Sequence, residues 1–239
     1  MIYKDMAAYE PTHLEIAEIF LRVLCDKEPQ KVDALCLHSC FNNAEIEDSL
    51  IAKAIGIWGK KICPYIVING LTAGECIAAN HACNGSETYI NKLVSGGVPR
   101  ESILLMPSSQ NTPEESQNFL RMAQEKNWHS LLIMSMPYHQ PRCFLSIVSA
   151  MEDLDIAVKV YNVTFHDVDW DILVKRRVFN GKNVLGQVDE SGTYLSLMKN
   201  ELERIQRYAV PGRGYIRHAT IREALNYLEK RDENFNSRY

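Results

Sequence analysis

Short apolar runs recur along this chain, each followed by a longer segment with helical spacing. That alternation constrains the fold more than any other feature. The runs at 32–38, 65–69, 103–106, 131–136 and 156–163 are nearly continuous in apolar residues rather than alternating with polar ones. Strands read this way when both of their faces are covered. Between them, apolar residues follow helical spacing: Leu14, Ile16, Ile19, Phe20, Val23 and Leu24 in 11–25, and Ile46, Leu50, Ile51, Ala54 and Ile57 in 43–58. Strands separated by helices of such length imply right-handed crossovers and a parallel sheet with helices on both faces. The expected class is α/β, with a mainly parallel sheet of about five strands and extra C-terminal helices.

Local signals set the expected boundaries. Thr12 with Glu15 forms a capping-box pattern at the start of 11–25. Segment 71–85, with Gly74, Asn80, Asn84 and Gly85, reads as a long loop or irregular insertion, after which Ser86 caps a helix to about 94. Gly96-Gly97-Val98-Pro99 stops that helix. Thr112-Pro113-Glu114-Glu115 predicts a helix running to about 126, with Thr112 as N-cap and Glu115 closing the box. Helices are also expected at 142–151, near 168–175, at 191–208 and at 219–231, with 231–239 polar and frayed.

Composition narrows the classes of function. The chain has 239 residues, 46% hydrophobic and 23% charged, so it has the material for one large domain with a sizeable core. Acids outnumber bases 30 to 26, a net charge of −4 that argues against a general nucleic-acid binder. No apolar stretch is long enough to span a bilayer, and the N-terminus carries no apolar signal core. The expectation is a cytoplasmic protein without membrane or nucleic-acid partners. Its seven cysteines, an odd number, are read as reduced thiols.

In an open parallel sheet, ligands bind beyond the carboxyl ends of the strands. Four junctions there carry polar residues. Ser135-Met136-Pro137-Tyr138-His139-Gln140-Pro141-Arg142 follows an apolar strand and opens a helix. His139 and Arg142, three apart, share one face of its first turn. A guanidinium and an imidazole beside a helix N-terminus suit a phosphate or carboxylate. Ser108-Ser109-Gln110-Asn111-Thr112 is a second junction, with Asn111, Ser108 and Ser109 expected to face a ligand. Asn69-Gly70-Leu71-Thr72 is a third, with Glu87 near a helix start. His38-Ser39-Cys40 is the fourth. Cys36 and Cys40 with His38 match no closed zinc spacing, so no metal is predicted. Cys40 could act as a nucleophile only with a base such as His139 nearby.

The run Leu132-Ile133-Met134-Ser135-Met136-Pro137-Tyr138-His139-Gln140-Pro141-Arg142 resembles the strand, Ser, Tyr-His-x-x-Arg signature of the DUF218 family, also called YdcF-like or SanA-like. Gly97-Val98-Pro99, Ile103-Leu104 and Ser109-Gln110-Asn111-Thr112-Pro113-Glu114-Glu115 are similar to another of its runs in order and spacing, with Glu87 ahead of them. The resemblance covers roughly half the chain, from Val32 to about Met151, within a core of about 32–165. It implies a Rossmann-like three-layer α/β/α sandwich, with the helix at 11–25 and the helical part at 166–239 packed on the core as a single domain. It also implies a small anionic or nucleotide-like ligand, with S-adenosylmethionine binding associated with the family's soluble branch. Two departures stand out: His38-Ser39-Cys40 and Asn69-Gly70-Leu71 occupy positions where relatives carry more glycine.

The expected ligand-binding set is His38, Ser39, Asn69, Gly70, Glu87, Asn111, Thr112, Ser135, Tyr138, His139 and Arg142. The first reading is a binder of S-adenosylmethionine or another anionic nucleotide-like ligand. The second is a hydrolase or transferase for a phosphorylated or nucleotide-linked substrate, with His139 as general acid or base. The third is an interaction or regulatory protein with a vestigial site. The oligomeric state is left open.

Overall fold

The computed structural model describes residues 10–38, 44–78, 84–164, 171, 173–174, 192–209 and 217–236. In chain order, the elements of the core are α1 (His13–Leu24), β1 (Ala34–Leu37), α2 (Ala44–Gly59), β2 (Tyr65–Asn69), α3 (Ala73–Ala78), α4 (Ser86–Ser95), β3 (Ile103–Met106), α5 (Thr112–Glu125), β4 (Ser130–Met134), α6 (Gln140–Leu154) and β5 (Lys159–Val163). A two-stranded pair, β6 (Leu173–Val174) with β7 (Gly192–Thr193), is followed by α7 (Tyr194–Tyr208) and α8 (Ile221–Asn236). No described helix is long and apolar enough to cross a membrane.

The five core strands form one parallel sheet in the order β3-β2-β1-β4-β5, with helices on both faces. This is the parallel α/β sheet with helices on both faces that the apolar runs predicted, and its architecture is the Rossmann-like sandwich that the resemblance implied. Side-chain alternation divides the core into two layers. Ala34, Cys36, Val67, Leu131, Ile133 and Val160 face α1, α5, α6 and α8. Leu35, Leu37, Ile66, Ile68, Leu132 and Met134 face α2 and α4. Burial on both sides explains why the strand sequences lack polar alternation.

The edge strand β5 is shielded by α8. The Tyr227 hydroxyl donates to Val158 O at 3.0 Å and accepts from Val160 N at 2.6 Å. Arg231 reaches Val160 O at 2.9 Å and pairs with Asp26 at 2.7 and 2.8 Å. Such covering satisfies backbone groups that would otherwise invite another strand.

Several local expectations are corrected. Part of the expected loop at 71–85 is helical: α3 is started by Thr72 and Glu75, whose side chains each bond to the other's backbone N–H. The insertion has a closed neck, where Ser86 N donates to Leu71 O at 2.8 Å. Gly85 sits there at φ 78°, and a Cβ on it would lie 2.3 Å from Ala73 N. Gly85, rather than Ser86, is therefore the N-cap of α4. Asn111, rather than Thr112, caps α5: its Oδ1 accepts from Glu114 N at 3.0 Å, and Glu114 accepts from Gln110 N. The expected helix at 168–175 meets strand β6 at Leu173–Val174, its other residues apart from Asp171 lying outside the described set. The expected frayed end is instead helical to Asn236. Cys25, Cys36, Cys63 and Cys143 are free thiols, but Cys76 is disulfide-bonded, which corrects the all-reduced reading.

Candidate functional site

Strand order reverses at β1. The chain leaves β1 toward β2 and β3, then crosses back to place β4 on the other side of β1. The carboxyl ends of β1 and β4 therefore flank the crevice where open α/β sheets bind ligands. His38 and Ser135 are the first residues beyond those ends, and His38 N donates to Met134 O at 2.9 Å. The first turns of α5 and α6 bring Thr112, Glu115, His139, Arg142 and Cys143 to the same edge, and α7 adds Glu201.

Two histidine–carboxylate pairs organise this group. His38 Nδ1 lies 2.8 Å from Glu115 Oε2, both side chains being buried. His139 Nδ1 lies 3.2 Å from Glu201 Oε2. Glu201, only 1% exposed, also receives Arg142 Nε and Arg204 Nη1. Arg142 Nη1 donates to Thr112 Oγ1 at 3.0 Å. Because Asn111 supplies the α5 cap, the Thr112 hydroxyl is available to fix the guanidinium.

Charges follow from this packing. Burial alone would raise the Glu201 carboxyl, but Arg142, His139 and Arg204 hold it well below the usual carboxylate range. Burial opposes a charge on His38, yet Cys143, Glu115 and Cys36 hold its pKa well above the ordinary value. The Cys143 thiol would be pushed up by burial, and the neighbouring His139 and His38 bring it down to about 6. His218 behaves oppositely: burial, reinforced by Arg142, lowers it to about 3. Ser146 Oγ donates to Arg142 O and lies 2.7 Å from His218 Nδ1. With the serine proton used, the neutral His218 ring must donate from Nδ1.

The structure brings His38, Thr112, Ser135, His139 and Arg142 of the expected set to one crevice. Ser135 Oγ is buried without a hydrogen-bond partner among the described residues, while its N–H donates to Gln140 Oε1 at 2.6 Å. Ser39 and Cys40 lie outside the described residues. The other members of the expected set have these places in the structure. Asn69 Oδ1 accepts from Leu71 N and Ser109 N, and its Nδ2 donates to Ser109 O, so it ties β2 to the loop before α5. Gly70 permits a close approach there, since a Cβ on it would lie 2.4 Å from Met106 O. Asn111 is the α5 cap and Tyr138 is buried in the α2/α4 layer. Glu87 is exposed in the first turn of α4, which packs on α2 and β2.

Sequence reasoning set Cys36 with His38 aside as a metal pattern, missed Glu115 as their partner, and missed Cys143, Glu201, Arg204 and His218. Glu201 had a legible signal. It falls between Leu197 and Ile205 at steps of four, so the buried stripe of α7 carries a carboxylate where an apolar residue is the norm. Gln140 was also passed over. It bonds Ser135 N, Ile133 O and Asn162 Oδ1, locking the turn between β4 and α6.

Fold and site together define an open parallel α/β protein with a buried thiol, imidazole and carboxylate group at its switch point. No protein-family model matches the chain, and no curated protein matches it significantly.

Proposed function

We propose that this chain binds a small anionic, nucleotide-like ligand in the β1/β4 crevice, with S-adenosylmethionine as the first candidate. One observation carries the reading. Two guanidinium groups, Arg142 and Arg204, converge with His139 on a single carboxylate, Glu201, beside the N-terminus of α6. His139 is the N-cap of that 15-residue helix and makes no side-chain cap bond, so the positive end of the helix adds to the cationic character. A ligand carboxylate or phosphate would bind Arg142 with charge-assisted hydrogen bonds and compete with Glu201 for it. The buried Ser135 hydroxyl supplies a polar group at the end of β4. The DUF218 resemblance supports the same ligand class, and a cytoplasmic location belongs to that same proposal.

The test is a thermal-shift panel of S-adenosylmethionine, S-adenosylhomocysteine, nucleotides, sugar nucleotides and phosphate. A ligand at about 100 times its dissociation constant adds about 2.7 kcal/mol. For this chain length that is a rise of roughly 5–10 °C. The rise should disappear in Arg142→Ala. No shift with any member would overturn the reading and favour a vestigial site with a protein partner.

A hydrolase or transferase is the second reading, favoured by the His139–Glu201 pair. A carboxylate on Nδ1 fixes the orientation of the imidazole, as a general acid or base requires. Turnover of a phosphoester or methyl donor, lost in His139→Ala and kept in His13→Ala, would support it. Absence of turnover across such panels would exclude those chemistries.

A further inference from the structure

We propose that Cys36, His38 and Glu115 form a binding site for one divalent transition-metal ion, with zinc as the first candidate. The site lies on the α5/α6 side of β1 and does not depend on the ligand reading above. Cys36 and His38 are two apart across the end of β1, so their side chains share one face of the sheet. Glu115 comes to them from the first turn of α5. One ligating atom from each of the three residues lies within 4.8 Å of the other two, and all three residues are buried.

A simple ion pair leaves this arrangement incomplete. The 2.8 Å contact uses His38 Nδ1 and Glu115 Oε2. His38 Nε2 and Glu115 Oε1 are both buried with no hydrogen-bond partner among the described residues. The His38 side chain is 2% exposed and that of Glu115 is 9%. Buried polar atoms are nearly always paired, so two orphans in a cluster that also holds a buried thiol require an account. A metal ion would use them.

The donor set selects the class of metal. One thiolate, one imidazole and one carboxylate suit zinc and its neighbours, whereas magnesium and calcium take oxygen ligands. Thiolate and carboxylate balance the charge of a divalent ion, with His38 neutral. Three protein ligands leave a fourth position for water or substrate, as in catalytic zinc sites. Loading would release the Cys36 proton and the second ring proton of His38. Sequence spacing hides the set, because its third member is 77 residues along the chain from His38.

The experiment starts from purified full-length chain, measures its bound metals, strips them with a chelator, and titrates with cobalt(II). The expected result is saturation at one equivalent, with thiolate-to-cobalt charge-transfer absorption that zinc abolishes by displacement. Cys36→Ser should lose the charge-transfer band, Glu115→Gln should weaken binding at least tenfold, and Cys25→Ser, at an exposed thiol, should match wild type. If Cys36→Ser does not fold, the near-isosteric Glu115→Gln decides the ligand set. If neither variant folds, the presence or absence of the wild-type band decides the site. No saturable cobalt signal in wild type, or an unchanged signal in Cys36→Ser, overturns the proposal.

Discussion

Replacing Glu201 by Gln isolates the electrostatic core of the site. The carboxylate is 1% exposed, and its partners Arg142 and Arg204 are 15% and 13% exposed at the side chain. Removing one member of a buried pair costs about 3–5 kcal/mol, chiefly because the remaining charge is left uncompensated. Gln keeps the shape and one acceptor oxygen, which places Glu201→Gln near the lower end, about 3 kcal/mol. At roughly 2–4 °C per kcal/mol for a chain of this size, the midpoint should fall by about 6–12 °C. The same change leaves two guanidiniums without their shared anion. Inorganic phosphate should therefore restore more stability to the variant than it adds to wild type. The excess gain is the readout, because general salting-out by phosphate acts on both proteins alike. Urea denaturation of both proteins, with and without phosphate, measures both effects. A loss below about 1 kcal/mol, or equal phosphate gains, would refute the reasoning.

Three further perturbations test separate parts of the structure. His218 is held neutral down to about pH 3, whereas an unfolded histidine titrates near 6.5, so between those values the unfolded chain binds a proton the folded chain does not. Its contribution is full above pH 6.5, falls by up to about 1.4 kcal/mol per unit as pH drops, and levels off below about 3. Denaturant midpoints from pH 7 to 4 should therefore slope less in His218→Gln than in wild type, and identical slopes would contradict this. Asn111→Ala should cost about 1 kcal/mol of equilibrium stability through loss of the α5 cap, with Glu114 N left without its side-chain acceptor. A negligible loss would mean that Thr112 takes over the cap. Thiol titration of the denatured, unreduced chain should find two fewer thiols than its seven cysteines, because Cys76 is disulfide-bonded, and full recovery of seven would remove that bridge.

The central strands β1, β2 and β4 were legible because they are buried on both faces, and continuous apolar runs such as residues 65–68 record that directly. The capping box of α1 was legible for the opposite reason, since all its partners lie within three residues. Competing signals misled the reading of α5. Asn111 and Thr112 are both good caps, and the choice between them is made by Arg142, which draws the Thr112 hydroxyl from 30 residues away. The same competition hid Glu115, assigned to a capping box from sequence but used by His38 instead. His139 and Arg142 were recognised from their shared helix face, whereas Glu201, which unites them, comes from α7 and no spacing rule connects the two segments. Asn69 read as a ligand contact because of its place at the end of β2, and the structure turns its amide back on the protein's own loop.

Isothermal titration of wild type and Arg142→Ala with S-adenosylmethionine, a nucleoside diphosphate and inorganic phosphate tests the anion-site account most directly. Charge-assisted hydrogen bonds of about 1.5–3 kcal/mol predict saturable 1:1 binding of at least one of these, weakened roughly 10- to 100-fold in the variant. Equal affinity in the two proteins, or no saturable binding by wild type, would contradict it.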